Sequence, residues 1–82
     1  MYQVYVLCSA DKSRTYVGQT ADVDSRLQRH NAGLVKSTKS KRPWTVLHTE
    51  SCNTRSEAMQ RERWYKSPAG RKMIASLLAG ST

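Results

Sequence analysis

Cysteine is scarce in this 82-residue chain, acidic residues are few, and no long apolar run is present. Each scarcity excludes something. The two cysteines, Cys8 and Cys52, stand far apart among apolar, strand-like residues, with no CxxC or HxxxH spacing nearby. That pattern reads as two buried free thiols in a reducing compartment, and it gives no support to a zinc site assembled from Cys8, Cys52, His30 and His48. No stretch approaches the roughly 20 apolar residues that a membrane-spanning helix needs. The opening MYQVYVLCS has neither a basic leader region nor a cleavage site, so a soluble, cytoplasmic protein without a membrane partner is expected. Six acidic residues against 14 Lys and Arg leave a formal net charge of +8. Such a balance points to a polyanionic partner, and to nucleic acid before a membrane surface. No internal repeat or low-complexity tract interrupts the chain, and its length predicts one domain, residues 1–80, around one modest core.

Residues 2–9 and 14–20 are rich in Val, Tyr, Thr and Leu and are separated by the turn-like ADKS, which predicts a β-hairpin. With an even loop, Ala10 opposite Ser13, Leu7 falls opposite Tyr16 and Tyr5 opposite Gly18. Tyr5 and Tyr16 then share one face of the sheet. Gly18 leaves a notch between their hydroxyls, of the kind that admits a close backbone approach. TADVDSRLQRHNAG predicts a helix of about three turns, with Thr20 or Asp22 as cap and Gly33 as stop. Val23, Leu27 and Leu34 cluster as its apolar stripe, though Leu34 lies past the stop, and Arg26 and His30, one turn apart, lie together along the border of that stripe. LVKSTKSKRP, with Lys36, Lys39, Lys41 and Arg42, has no period and reads as a basic loop. WTVLHTESC predicts a third strand after Pro43. NTRSEAMQRERWYK and SPAGRKMIASLLAG predict two further helices, the last with Ser67 as cap, Pro68 at its first position and Gly80 as stop. The order β-β-α-β-α-α is that of an α+β fold.

Two glutamates on the penultimate helix invite different readings. TRSE at positions 54–57 fits a capping box, with Thr54 as cap and Glu57 reaching back to the Thr54 amide. Glu62 has no such role. At about 100° per residue it falls beside Ala58 and Met59 in an arc that also holds Tyr65, where a carboxylate needs a cation to meet it. Lys66, four residues on, is one such cation, and a metal ion is another.

Taken in order, VYV, YVGQT, RLQRHNAG, KRPW and SEAMQRERWYK resemble the GIY-YIG nuclease domain, and within that superfamily its small standalone proteins. The resemblance spans nearly the whole chain. It implies a small three-stranded antiparallel sheet flanked by helices, and a divalent-metal-dependent endonuclease that hydrolyses DNA phosphodiester bonds, directed by structure or backbone rather than by sequence. By position it implies Tyr5 for the first motif, Tyr16 and Gly18 for the second, Arg26 as the catalytic arginine, His30 as the helix histidine and Glu62 as the ligand of Mg²⁺ or Mn²⁺. The cation would polarise the phosphate, Arg26 would bind developing charge, and a tyrosine would help to activate water, with Tyr5 favoured as the base and Tyr16 as the orienting group. A phenol whose pKa is near 10 needs that value lowered, which Arg26 and the metal are expected to do. Lys36, Lys39, Lys41, Arg42 and Lys66 are expected to track the DNA backbone. A protein partner that supplies targeting, in DNA repair or recombination, is expected because the chain ends soon after the nuclease core. Each residue also has an ordinary reading: Tyr5 and Tyr16 as sheet aromatics, Arg26 snorkelling from the helix border, His30 as a favourable cation near the helix end. The competing function is a non-catalytic nucleic-acid-binding module that keeps the fold and the basic surface.

Overall fold

A computed structural model describes residues 1–80. Its central strand, β1 (Tyr2–Ser9), pairs antiparallel with β2 (Thr15–Thr20) on one side and with β3 (Trp44–Cys52) on the other, so the sheet order is β2-β1-β3. Helices α1 (Val23–Asn31), α2 (Arg55–Tyr65) and α3 (Pro68–Gly80) complete the expected order, with one addition, a 3₁₀ helix at Lys36–Lys41 in the segment read as a loop. The α+β architecture with a three-stranded antiparallel sheet is therefore present.

The run of apolar residues in β1 follows from its being covered on both faces, because alternate side chains of a strand point to opposite sides. Val4 and Val6, with Val17 of β2, join Cys52, Ala58, Tyr65 and Ile74 in a core shared with α2 and α3. Tyr5 and Leu7 join Trp44 in a second core, against which Val23 and Leu27 of α1 pack. Both cysteines are buried and free.

The hairpin pairs Tyr5 with Gly18 and Leu7 with Tyr16, the register that an even loop dictates. Asp11 staples the loop: its Oδ1 accepts from the Ser9 and Ser13 hydroxyls at 2.8 and 2.7 Å and from the Ser13 amide at 3.0 Å. These bonds hold its carboxyl well below the usual carboxylate range.

Asp22 rather than Thr20 caps α1, accepting from the Ser25 amide at 3.1 Å. Gly33 ends that helix at φ +80°, a conformation that a side chain disfavours. Leu34 lies beyond this turn and is 68% exposed, so it does not belong to the apolar stripe. Thr54 caps α2 by accepting from the Glu57 amide at 3.1 Å, but Glu57 reaches the Asn53 amide, at 3.4 Å, one residue short of the Thr54 amide. Ser67 caps α3 through the Gly70 amide, and the helix includes Gly80 instead of stopping before it.

Candidate active site

The hairpin register sets the Tyr5 and Tyr16 ring centroids 6.2 Å apart. A Cβ on Gly18 would stand 2.6 Å from the Tyr5 hydroxyl, 2.7 Å from Tyr5 Cζ and 3.1 Å from Tyr16 Cε1. The Tyr5 phenol thus lies over the glycine. The notch expected at Gly18 is filled by Tyr5 itself, not open to a second backbone or to substrate.

Helix α1 carries His30 into the same place, where it is 1% exposed, with its ring 6.0 Å from Tyr5 and 4.7 Å from Tyr16. Its Nε2 is 3.2 Å from the Tyr5 hydroxyl and its Nδ1 is 2.9 Å from Thr38 Oγ1. If the Thr38 hydroxyl gives its proton to the Val35 carbonyl, 3.3 Å away, it accepts from Nδ1–H. Nε2 is then the acceptor of the Tyr5 O–H. Burial first, then the charges of Arg26 and Arg29, hold the imidazole pKa below its ordinary value. His30 is accordingly a neutral ring built into the core, not the helix-end cation its position suggested. Thr38 is the residue that sequence reasoning missed. It is buried on the 3₁₀ turn, and its carbonyl also accepts from the Trp44 indole at 2.7 Å. Its signal in the sequence is faint: one small uncharged side chain among cations.

Tyr5 resists ionisation. Burial and then the neighbouring Tyr16 push its phenol up to about 12, Glu62 adds to the rise, and Arg26 alone opposes it. The expected lowering by Arg26 is outweighed, because the ring is 2% exposed and its strongest neighbours favour the neutral form. Arg26 is exposed, forms no ion pair among the described residues, and stands close enough to act on both Tyr5 and His30. Glu62 is half-buried on α2, and its Oε2 accepts from Lys66 Nζ at 2.8 Å. The donor set at the cluster is this one carboxylate. A hard divalent ion such as Mg²⁺ commonly takes one or two carboxylates and completes its shell with water and substrate phosphate, so these residues fit such an ion.

The basic candidates divide. Lys41 lines an open groove of about 380 Å³ with Arg14, Tyr16 and Trp44, although Asp11 holds it at 3.7 Å. Lys66 lines a second groove, of about 320 Å³, with Tyr16 and Arg71. Arg42 is engaged in the fold: Nε donates to the Lys39 carbonyl at 2.9 Å, Nη1 donates to the Asn31 carbonyl at 3.4 Å, and the guanidinium lies against Gly33. Lys36 and Lys39 are exposed on the 3₁₀ helix and line neither groove.

Comparison with known proteins bears on the family and the fold. The family model for the GIY-YIG catalytic domain matches residues 1–74. A UPF0213 protein of Halobacterium salinarum is 46% identical over 63 residues, 76% of this chain and 80% of that protein. A UPF0213 protein of Listeria monocytogenes is 43% identical over 75 residues, 90% of this chain and 83% of that protein. The solution NMR structure of a UPF0213 protein from Bacillus halodurans is similar with a TM-score of 0.53 and 33% sequence identity, covering 94% of this chain and 85% of that chain. No helix among the described residues is long and apolar enough to cross a membrane. By sequence over residues 1–74 and by fold over 94% of its length, the chain belongs to the GIY-YIG nuclease family.

Proposed function

We propose that the protein is a divalent-metal-dependent endonuclease that hydrolyses DNA phosphodiester bonds through a phenol–imidazole relay. The observation that carries this reading is the chain of hydrogen bonds from Tyr5 through neutral His30 to Thr38. A phenol pushed up to about 12 is not a standing phenolate near neutral pH. It acts as a base only if its own proton leaves as it takes one. His30 Nε2 is the acceptor for that proton: water gives its proton to the Tyr5 oxygen, Tyr5 gives its own to Nε2, and the water oxygen bonds phosphorus as the bond to the leaving oxygen breaks. Arg26 binds the charge that gathers on the non-bridging oxygens, and half-buried Tyr16 orients water or phosphate from the groove side. Glu62 would hold Mg²⁺ or Mn²⁺, which when bound would supply Lewis-acid polarisation of the phosphate and of the leaving oxygen.

The Glu62–Lys66 pair at 2.8 Å favours a second reading, a binding module, because it satisfies the carboxylate without a metal. Cleavage separates the two. Labelled single-stranded, duplex and branched DNA are incubated with the parent, Tyr5→Phe and Arg26→Ala, with and without Mg²⁺ or Mn²⁺. The parent is expected to cut only with metal, and each variant to lose on the order of 100-fold or more, Arg26→Ala with the parent's unfolding midpoint and Tyr5→Phe with a midpoint lowered only by the loss of one buried hydrogen bond, about 1 kcal/mol. Absence of cutting by the parent on every substrate, or full cutting by Arg26→Ala, would return the site to the binding reading.

A further inference from the structure

Strand β2 is an edge of the sheet, and the grooves at its two ends are basic. At its N-terminal end Tyr16 stands between two grooves, one carrying Arg14 and Lys41, the other Lys66 and Arg71. At its C-terminal end a third groove, of about 340 Å³, brings Arg55 of α2 to Arg26 of α1 around Gln19 and Thr20. None of the three has an acidic residue in its lining. The groove beside Val46 and Thr49 of β3 holds Asp22 and Asp24 instead, while Asp11 and Glu62 pair with Lys41 and Lys66 and leave the arginines of the basic grooves without an ion pair among the described residues. Arg14, Arg55 and Arg71 are exposed and form no ion pair among the described residues. Arg61 contrasts with them: Glu50 binds it through two nitrogens and it stacks over Trp64. Three unpaired guanidiniums with no carboxylate in the lining of their grooves are unexplained by the fold, and a phosphate backbone is the ligand that accounts for them.

We infer that the edge of β2 is a track for the sugar–phosphate backbone of DNA. Arg14 and Arg71 take phosphates on one side of the scissile one, and Arg55 takes a phosphate on the other. The placement of the scissile phosphate at Tyr16 and Arg26 rests on the nuclease reading, whereas the track itself does not. The strand has six residues, or roughly 20 Å at about 3.4 Å each, so the track spans a few nucleotides of one strand. Of the cations on the 3₁₀ helix, Lys41 is the one that lines the track, beside Ser37, Thr38 and Ser40.

The test is a fluorescence anisotropy titration of a labelled duplex of about 20 base pairs, and of its single strand, against the parent, Arg14→Ala, Arg55→Ala and Arg71→Ala. Lys72→Ala, an exposed cation of α3 that lines none of the three grooves, is the control, and a chelator is present throughout so that binding is read without cleavage. Salt runs from about 50 to about 200 mM. Each arginine that binds a phosphate contributes about 0.9 to the slope of log affinity on log salt for duplex and about 0.7 for single strand. Each arginine variant should therefore flatten the slope by that amount, losing about 3.5-fold less affinity than the parent across this fourfold range on duplex. Lys72→Ala should keep the parent slope. Arginine variants with the parent slope, a Lys72→Ala slope flattened as much as theirs, or a parent that binds neither probe, would overturn the track. Flattened slopes in a parent that never cleaves would uphold the track while removing the nuclease reading.

Discussion

Replacing Gly18 with alanine would place a methyl group inside the space that the Tyr5 phenol occupies. The added carbon would stand 2.6 Å from the Tyr5 hydroxyl and 2.7 Å from Cζ, against an optimal carbon separation of about 3.5 Å or more. The phenol must therefore retreat by roughly 0.8 Å, and a ring only 2% exposed has little room to do so. The Tyr5–His30 contact, already 3.2 Å, would lengthen past the limit of a useful hydrogen bond. Overpacking costs about 1–3 kcal/mol and the lost bond about 1 kcal/mol. Replacing a strand glycine by alanine offsets about 0.5–1 kcal/mol. The net loss of about 1–3 kcal/mol lowers the unfolding midpoint by on the order of 10 °C in a domain of this size. Cleavage should suffer more than stability, because a misplacement of about 1 Å at a reacting group costs on the order of 100-fold. Thermal unfolding by circular dichroism gives the first quantity. Cleavage of labelled DNA, measured well below both midpoints, gives the second. A Gly18→Ala protein with the parent's midpoint and rate would refute the seating of Tyr5 over Gly18. A rate that fell only as the folded fraction fell would refute the role given to Tyr5.

Thr38→Val should remove the acceptor from His30 Nδ1–H, move the ring proton to Nε2, and so deny Tyr5 its acceptor. The expected results are a changed ¹⁵N signature for the His30 ring and a fall in cleavage of about tenfold or more, whereas an unchanged tautomer would contradict the assignment. Because the folded-state pKa of His30 is held below its ordinary value, the unfolded chain takes up the proton first as pH falls. Stability should therefore decline from about pH 6.5 downward, and the relay should fail only at still lower pH as the folded imidazole charges. A pH–rate profile whose His30 limb, absent in a His30 variant, lies above about 6.5 would contradict this sign. Asp11→Asn should release Lys41 from its 3.7 Å ion pair and raise DNA affinity in low salt, and an affinity equal to or below the parent's would show that Asp11 does not restrain the groove.

What could be read from the sequence was what local rules control. The even ADKS loop and the two-residue period of a strand were enough to pair Tyr5 with Gly18 and Leu7 with Tyr16. Cap and stop chemistry bounded α1 by Thr20 or Asp22 at one end and Gly33 at the other, and the Ser25 amide selects Asp22. The same rules placed Arg26 and His30 one turn apart, but not their separate fates, since burying His30 while exposing Arg26 depends on Thr38 and Trp44 arriving from a distant segment. Thr38 sits on a six-residue 3₁₀ turn, too short for any period to show. Arg42 reads as a surface cation until its bonds to the Lys39 and Asn31 carbonyls appear. The direction of the Tyr5 shift was likewise out of reach, because one visible cation, Arg26, competes with burial and with neighbours brought in by the fold. Arg55 and Arg71 look like any helix-surface arginine in the sequence. The fold is what brings them to the two ends of β2.

The measurement that bears most directly on the account is metal-dependent cleavage by Glu62→Gln beside Glu57→Gln. Both substitutions are nearly isosteric and both lie on α2, yet only Glu62 is close enough to Tyr5 to act on its ionisation, whereas Glu57 sits at the helix start. The account predicts that the parent and Glu57→Gln cut DNA when Mg²⁺ or Mn²⁺ is added. Glu57→Gln should lose at most about 1 kcal/mol of stability, the scale of a cap. Glu62→Gln should remain folded and fail to cut at any metal concentration that supports the parent. Full cleavage by Glu62→Gln, under conditions where the parent requires added metal, would contradict the central claim.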